Sequence, residues 1–126
     1  MGNITINEQE LQKFAQQPDD KPVVMINLLK FKAVTETGLT GEELYDRYAA
    51  QAAPFVAQVG GKVLWQGKAE QYISGGEADR WDKVLLVEYP SRAAFLKMIQ
   101  MPEFQATQKD RLAALESTAL IAAATL

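Results

Sequence analysis

The sequence predicts an α+β domain in the element order β-α-β-β-α-β behind a helical lead-in, and three observations carry that prediction. Residues 81–95, Trp-Asp-Lys-Val-Leu-Leu-Val-Glu-Tyr-Pro-Ser-Arg-Ala-Ala-Phe, hold a strand apolar on both faces that stops at Pro90 and passes into a helix capped by Ser91. Residues 23–31, Val-Val-Met-Ile-Asn-Leu-Leu-Lys-Phe, are likewise apolar at odd and even positions. Between them Thr40 and Glu43 have capping-box spacing while Leu39 and Leu44 have the offset of a hydrophobic staple, a double signal for a helix beginning at Gly41. Strands apolar on two faces belong in the middle of a sheet covered on both sides.

The elements follow in order. Asn7 with Glu10, and Ile6 with Leu11, predict a short helix from Glu8 to about Gln16, broken by the run from Pro18 to Pro22. After the first strand, Leu44, Tyr48, Ala52, Phe55 and Val59 form one core-facing stripe of the second helix. Pro54 is expected to kink or split that helix, and Gly60-Gly61 to end it. Residues 62–74 read as a long strand with a bulge or close backbone approach at Gly67, and residues 75–79, Gly-Gly-Glu-Ala-Asp, as the turn after it. The third strand covers residues 81–89, Ser91 caps a helix carrying Phe95, Met98 and Ile99, and Pro102 starts a helix reaching about Leu115. Residues 119–126 are ambiguous by propensity. They are assigned as a strand because Ser117-Thr118 interrupts the helical pattern and the first strand needs a partner.

This order is the split β-α-β, or ferredoxin-like, arrangement: a four-stranded antiparallel sheet with both main helices on one face. The other face is then bare, although strands one and three are apolar there as well. That implies a homodimer joined through the sheet faces.

Composition narrows the chemistry. At 126 residues the chain suits one domain burying about two thirds of its unfolded surface. Cys 0 removes disulfides and thiolate nucleophiles, and His 0 removes the usual neutral-pH base, metal ligand and haem ligand. Serine and cysteine triads are excluded, and neither zinc nor haem is expected. A net charge of -3 with no dense basic run points away from nucleic acid and anionic membrane. Met1 to Glu8 lacks a targeting pattern, and Ile6 stands where myristoylation wants Ser or Thr, so a cytoplasmic protein is expected. The Gly-Gly pairs lack nucleotide-loop spacing and the acids lack metal-ligand spacing; no cofactor is expected.

Pro54, Gly60-Gly61, Gly67, the run from Val87 to Phe95 with its Glu-Tyr-Pro-Ser, Pro102-Glu-Phe-Gln105 and Arg111-Leu-Ala-Ala114 together resemble the bacterial family catalogued as domain of unknown function 1330, within the dimeric α/β-barrel superfamily. The resemblance covers the chain from Val23 onward and leaves out the N-terminal helix. It implies the ferredoxin-like fold and the dimer. The wider superfamily includes cofactor-free monooxygenases, lactone isomerases, haem-degrading enzymes and stress-induced proteins, a range across which fold does not fix function. A chain without histidine departs from the haem-binding branch.

Five residues are singled out as candidate site residues. Glu88 follows Val84 and Leu86 on one face of its strand; desolvation there would raise its pKa toward that of a general base, the competing reading being a charge pair with Arg92, Arg111 or Lys30. Asn27, the polar interruption of an apolar strand, either presents its amide to a ligand or bonds neighbouring backbone. Arg111 interrupts its helix stripe and either clamps a carboxylate or phenolate or snorkels to solvent. Tyr48 and Trp65 can wall a pocket for a planar substrate, as can Trp81 and Tyr72, the competing reading for all but Tyr48 being core packing or dimer contact; Lys30 and Tyr45 are secondary candidates. Two functions remain open: a metal-free and nucleotide-free enzyme acting on an aromatic or lactone-like metabolite, of monooxygenase or isomerase type, and a non-catalytic ligand-binding or stress-related dimer.

Overall fold

The structure is a computed structural model that describes residues 6–19, 21–78 and 80–126; residues 1–5 of the terminal stretch, Asp20 of the expected break and Asp79 of the expected turn lie outside the described residues. Helix α1 (Glu8–Gln16) starts where the Asn7 side chain accepts from the Glu10 amide at 3.1 Å. Helix α2 (Gly41–Gln58) has the complete capping box: Thr40 Oγ1 accepts from the Glu43 amide at 3.1 Å and Glu43 Oε1 from the Thr40 amide at 2.9 Å. The Thr40 amide, followed by the Thr40 side chain, favours the charged carboxylate and holds Glu43 below its usual pKa. The helix ends in a Schellman pair, with the Gly60 amide donating to Ala57 O at 3.0 Å and the Gly61 amide to Val56 O at 2.8 Å. Gly60 takes φ +84° to allow it.

Four strands, β1 (Val23–Phe31), β2 (Lys62–Lys68), β3 (Lys83–Tyr89) and β4 (Leu115–Ala123), form an antiparallel sheet in the order β2-β3-β1-β4. Helices α3 (Arg92–Ile99) and α4 (Pro102–Ala114) connect β3 to β4. The sheet is the expected ferredoxin-like one, open at the β2 and β4 edges.

Several boundaries differ from the sequence reading. Pro54 does not split α2, which runs through all 18 residues. Pro54 is exposed, so the carbonyl its ring leaves without a donor faces solvent. Strand β2 stops at Lys68 rather than Ser74, because Tyr72 is drawn into the following loop, where its hydroxyl accepts from the Trp81 amide at 2.6 Å and its ring lies under Arg80. The bulge falls between Val63 and Trp65, not at Gly67. Gly67 instead leaves space for the indole two residues back, and a Cβ there would collide with Trp65. Strand β3 begins at Lys83 because Asp82 turns to cap the sheet end, its carboxylate accepting from the Phe31 amide at 2.8 Å and its amide donating to Leu29 O at 2.7 Å. Strand β4 begins at Leu115, before the expected break: Ser117 is buried within it and Thr118 Oγ1 donates to Leu28 O at 2.8 Å.

Alternation decides what each sheet face carries. Val23, Met25, Asn27 and Leu29 pair with Tyr89, Val87, Leu85 and Lys83 and point at the helices. Leu29, Leu44 and Leu115 in that layer are fully buried. Arg47 of α2 clamps Asp110 of α4 through Nε at 3.1 Å and Nη2 at 3.2 Å, holding the Asp110 carboxyl below its usual range. The opposite face carries Val24, Ile26, Leu28, Val84 and Leu86, all half-buried, with Trp65 55% and Ile121 45% exposed.

Candidate functional site

A cavity of about 260 Å³ lies between α2 and the helix-side face of the sheet. Its origin is compositional: Ala49, Ala52, Ala53 and Ala57 put methyl groups where the rest of the α2 stripe puts Leu44, Tyr48 and Phe55. The sheet supplies Leu85, Val87 and Tyr89 as the floor, with Met98 and Phe104 closing one side. Cavities near 150 Å³ accept benzene, and small-molecule sites commonly begin near roughly 300 Å³. The volume therefore suits a molecule of one or two rings.

Polar groups in the lining are few. Asn27 is 9% exposed, and its Nδ2 makes only long contacts, 3.4 Å to Met25 O and 3.5 Å to Leu85 O. Among the described residues no donor meets its Oδ1. The Tyr48 hydroxyl has one partner, Gln108 Nε2 at 3.5 Å, and Gln108 also reaches Thr107 Oγ1 at 3.3 Å. Tyr45 packs against Tyr48 with the rings tilted by 59° and their centroids 5.2 Å apart. Burial pushes the Tyr45 hydroxyl up to about 12, with the adjacent Arg111 guanidinium opposing, and burial raises Tyr89 as well. Both are donors at neutral pH, not bases.

The five sequence candidates divide between locations. Asn27 and Tyr48 meet in the cavity, with Tyr45 from the secondary group. Arg111 touches its margin through Tyr45 and places Nη2 3.5 Å from Thr118 Oγ1. Glu88 and Trp65 lie across the sheet. Glu88 shares the face of Val84 and Leu86, as the sequence indicates, but that face is the one without helices, and its carboxylate pairs with Lys62 Nζ at 3.6 Å. None of Arg92, Arg111 or Lys30 is its partner; Lys30 pairs with Glu116 at 3.7 Å. Trp65 sits opposite Leu86 on that same face. Tyr89 and Gln108 were not singled out from the sequence, though both had a signal: Tyr89 continues the alternation of Leu85 and Val87, and Gln108 follows Phe104 by one helical turn. Among the described residues no three Asp or Glu side chains gather as a metal-holding group.

The family model described as a domain of unknown function (DUF1330) matches residues 33–125. The chain belongs to this family. This DUF1330 protein is also similar to a protein of unknown function from Rhodopseudomonas palustris, whose crystal structure superposes with TM-score 0.93 at 34% identity over 100% of this chain and 98% of that one. A dimeric protein of unknown function and ferredoxin-like fold from Bacteroides fragilis matches with TM-score 0.57 at 15% identity, over 86% of this chain and 100% of that one. A candidate antibiotic biosynthesis monooxygenase from Bacteroides thetaiotaomicron matches with TM-score 0.56 at 17% identity, over 85% and 91%. The last two share the fold alone with the DUF1330 chain. No curated protein matches it. Among the described residues no helix is long and apolar enough to cross a membrane.

Proposed function

We propose that the protein is a homodimer, joined through the bare sheet face, that binds a planar aromatic or lactone-like metabolite in the cleft under α2 and acts on it as a monooxygenase- or isomerase-type enzyme without metal or nucleotide. One observation carries the reading: a mainly apolar cavity of about 260 Å³ whose lining includes Asn27, Tyr45 and Tyr48. Amide and hydroxyl donors in an apolar cleft stabilise negative charge on a ligand oxygen, such as a phenolate or enolate. An electron-rich ligand of that kind can meet dioxygen without a reductant: a methylene flanked by rings becomes a carbonyl, one oxygen atom enters the product, and the other leaves as water with both methylene hydrogens. Lactone isomerisation requires a proton acceptor besides, and the cleft walls supply hydroxyls and an amide. Oxygen insertion on a phenol or enol acidic enough to ionise in water before it binds needs no such acceptor, and is the version these walls fit better. A ferredoxin-like fold shared with a candidate monooxygenase is consistent with it and, at 17% identity, carries no more than that.

The dimer rests on surface. The sheet face holding Ile26, Leu28, Val84, Leu86 and Trp65 is an apolar patch of the sort that marks an association site. Glu88 is left out of the catalytic role because it belongs to that face.

A non-catalytic ligand-binding or stress-related dimer is favoured by one observation, the protonated Tyr45 and Tyr89 hydroxyls in a cleft that Glu88 does not reach. A thermal-shift screen over aromatic acids, phenols, quinones and lactones, followed by oxygen-electrode and spectrophotometric assays on the hits, separates the two. Stabilisation with turnover is expected for the enzyme and stabilisation alone for the binder; a screen without hits contradicts both.

A further inference from the structure

The helix-side face of the sheet has a second opening, at its β4 edge. There α1 forms the roof, and a groove of about 730 Å³ runs between it and the strand. Leu120 and Ala122 pair with Asn27 and Met25, so they point to the helix side; Leu120 is nevertheless 42% exposed. Phe14 of α1, edge-on to Phe95 of α3 at 5.7 Å, supplies the far apolar wall. From Thr118 to Ala122 the floor spans about 13 Å at the usual strand rise.

Each end of that floor has a guanidinium. Arg92 lies over the Phe14 ring, its Cζ 4.6 Å from the centroid. At the other end the Thr118 hydroxyl donates to Leu28 O at 2.8 Å, which leaves its oxygen to receive Arg111 Nη2 at 3.5 Å. Arg111 is thus met only by neutral hydroxyls, those of Thr118 and Tyr45, and among the described residues no carboxylate pairs with it. A guanidinium with spare donors at the mouth of an apolar channel is complementary to a carboxylate with a hydrocarbon tail.

We propose that the α1–β4 groove binds an amphipathic monocarboxylate of medium-chain fatty-acid type, its carboxylate on Arg111 and its chain laid along Leu120 and Met25 toward Phe14. No residue lines both this groove and the cleft under α2, although Arg111 adjoins Tyr45 at the margin of that cleft. The groove also needs α1, which lies outside the part of the chain that the family model matches.

Isothermal titration of the full chain with sodium decanoate below its micellar concentration tests this. One saturable site per chain is expected. Arg111→Leu should weaken it at least tenfold with partial recovery in Arg111→Lys, and Leu120→Glu, a change at an exposed position that the fold tolerates, should abolish it. Ala53→Phe, which narrows the cleft under α2, should leave decanoate binding unchanged. No saturable binding up to millimolar decanoate, or wild-type affinity in Leu120→Glu, overturns the proposal. Loss of binding in Ala53→Phe with retention in Leu120→Glu moves the ligand to the cleft and overturns it as well. Should Arg111→Leu fail to fold, Leu120→Glu decides alone.

Discussion

Leu86→Lys is expected to preserve the fold and separate the protein into monomers. Leu86 lies in β3 between Ile26 and Trp65, at the middle of the face that no helix covers. In a two-fold symmetric dimer each substitution occurs twice, so two ammonium groups would be desolvated in one apolar interface. At several kcal/mol for each unpaired buried charge, dimer affinity should fall by at least about a thousandfold. Size-exclusion chromatography with light scattering at micromolar concentration reads this directly: a dimer for the parent chain and a monomer with unchanged circular dichroism for the variant. A variant that stays dimeric would place the interface elsewhere, and a monomeric parent would remove it.

Gly41→Ala is expected to destabilise the protein by about 3 kcal/mol, at the upper end of overpacking costs. The sign is the informative part, because Gly to Ala inside a helix ordinarily stabilises by up to about 1 kcal/mol. Here the first residue of α2 is wedged against two chain segments. Its amide donates to Lys32 O at 2.8 Å, and the Lys32 amide in turn donates to Ala114 O at 3.0 Å. A Cβ on Gly41 would collide with Lys32 O and lie 2.5 Å from Ala114 O, and backbone atoms cannot rotate away as a side chain can. Urea unfolding should show a lower midpoint at an unchanged slope. A neutral or stabilised variant would mean that β1, α2 and α4 do not meet so closely.

Both results turn on contacts between distant segments, and the sequence was least legible at such contacts. Short-range signals could be read from the sequence alone: the caps at Asn7, Thr40 and Ser91 and the glycine pair after α2 place helix ends to the residue. Strand ends were less readable, because Tyr72 and Ile73 have strand propensity while the Tyr72 hydroxyl is taken by the Trp81 amide. Ser117 and Thr118 looked like a break, and became strand residues once Leu28 O could accept from the Thr118 hydroxyl. The candidate site shows the same division. Asn27 stood out as polar among apolar neighbours, and the Tyr48 stripe pointed to the sheet. Glu88 could be assigned to the face of Val84 and Leu86, yet a strand by itself does not say which face the helices cover. That is settled by Asn27 pairing with Leu85 beneath α2, which puts Glu88 on the far side. The cavity was hidden for a further reason: alanines read as good helix formers, and the space they leave appears only when a sheet stands opposite.

The most direct measurement on the cleft is an isothermal titration with 1-naphthol, a two-ring phenol suited to about 260 Å³. Parent protein and Leu120→Glu should each bind one molecule per chain with equal affinity. Ala53→Phe, with a ring placed at the exposed rim of the cavity, should lose that binding. Equal binding by parent and Ala53→Phe, or none by the parent, would contradict the assignment of the cleft under α2 as the small-molecule site.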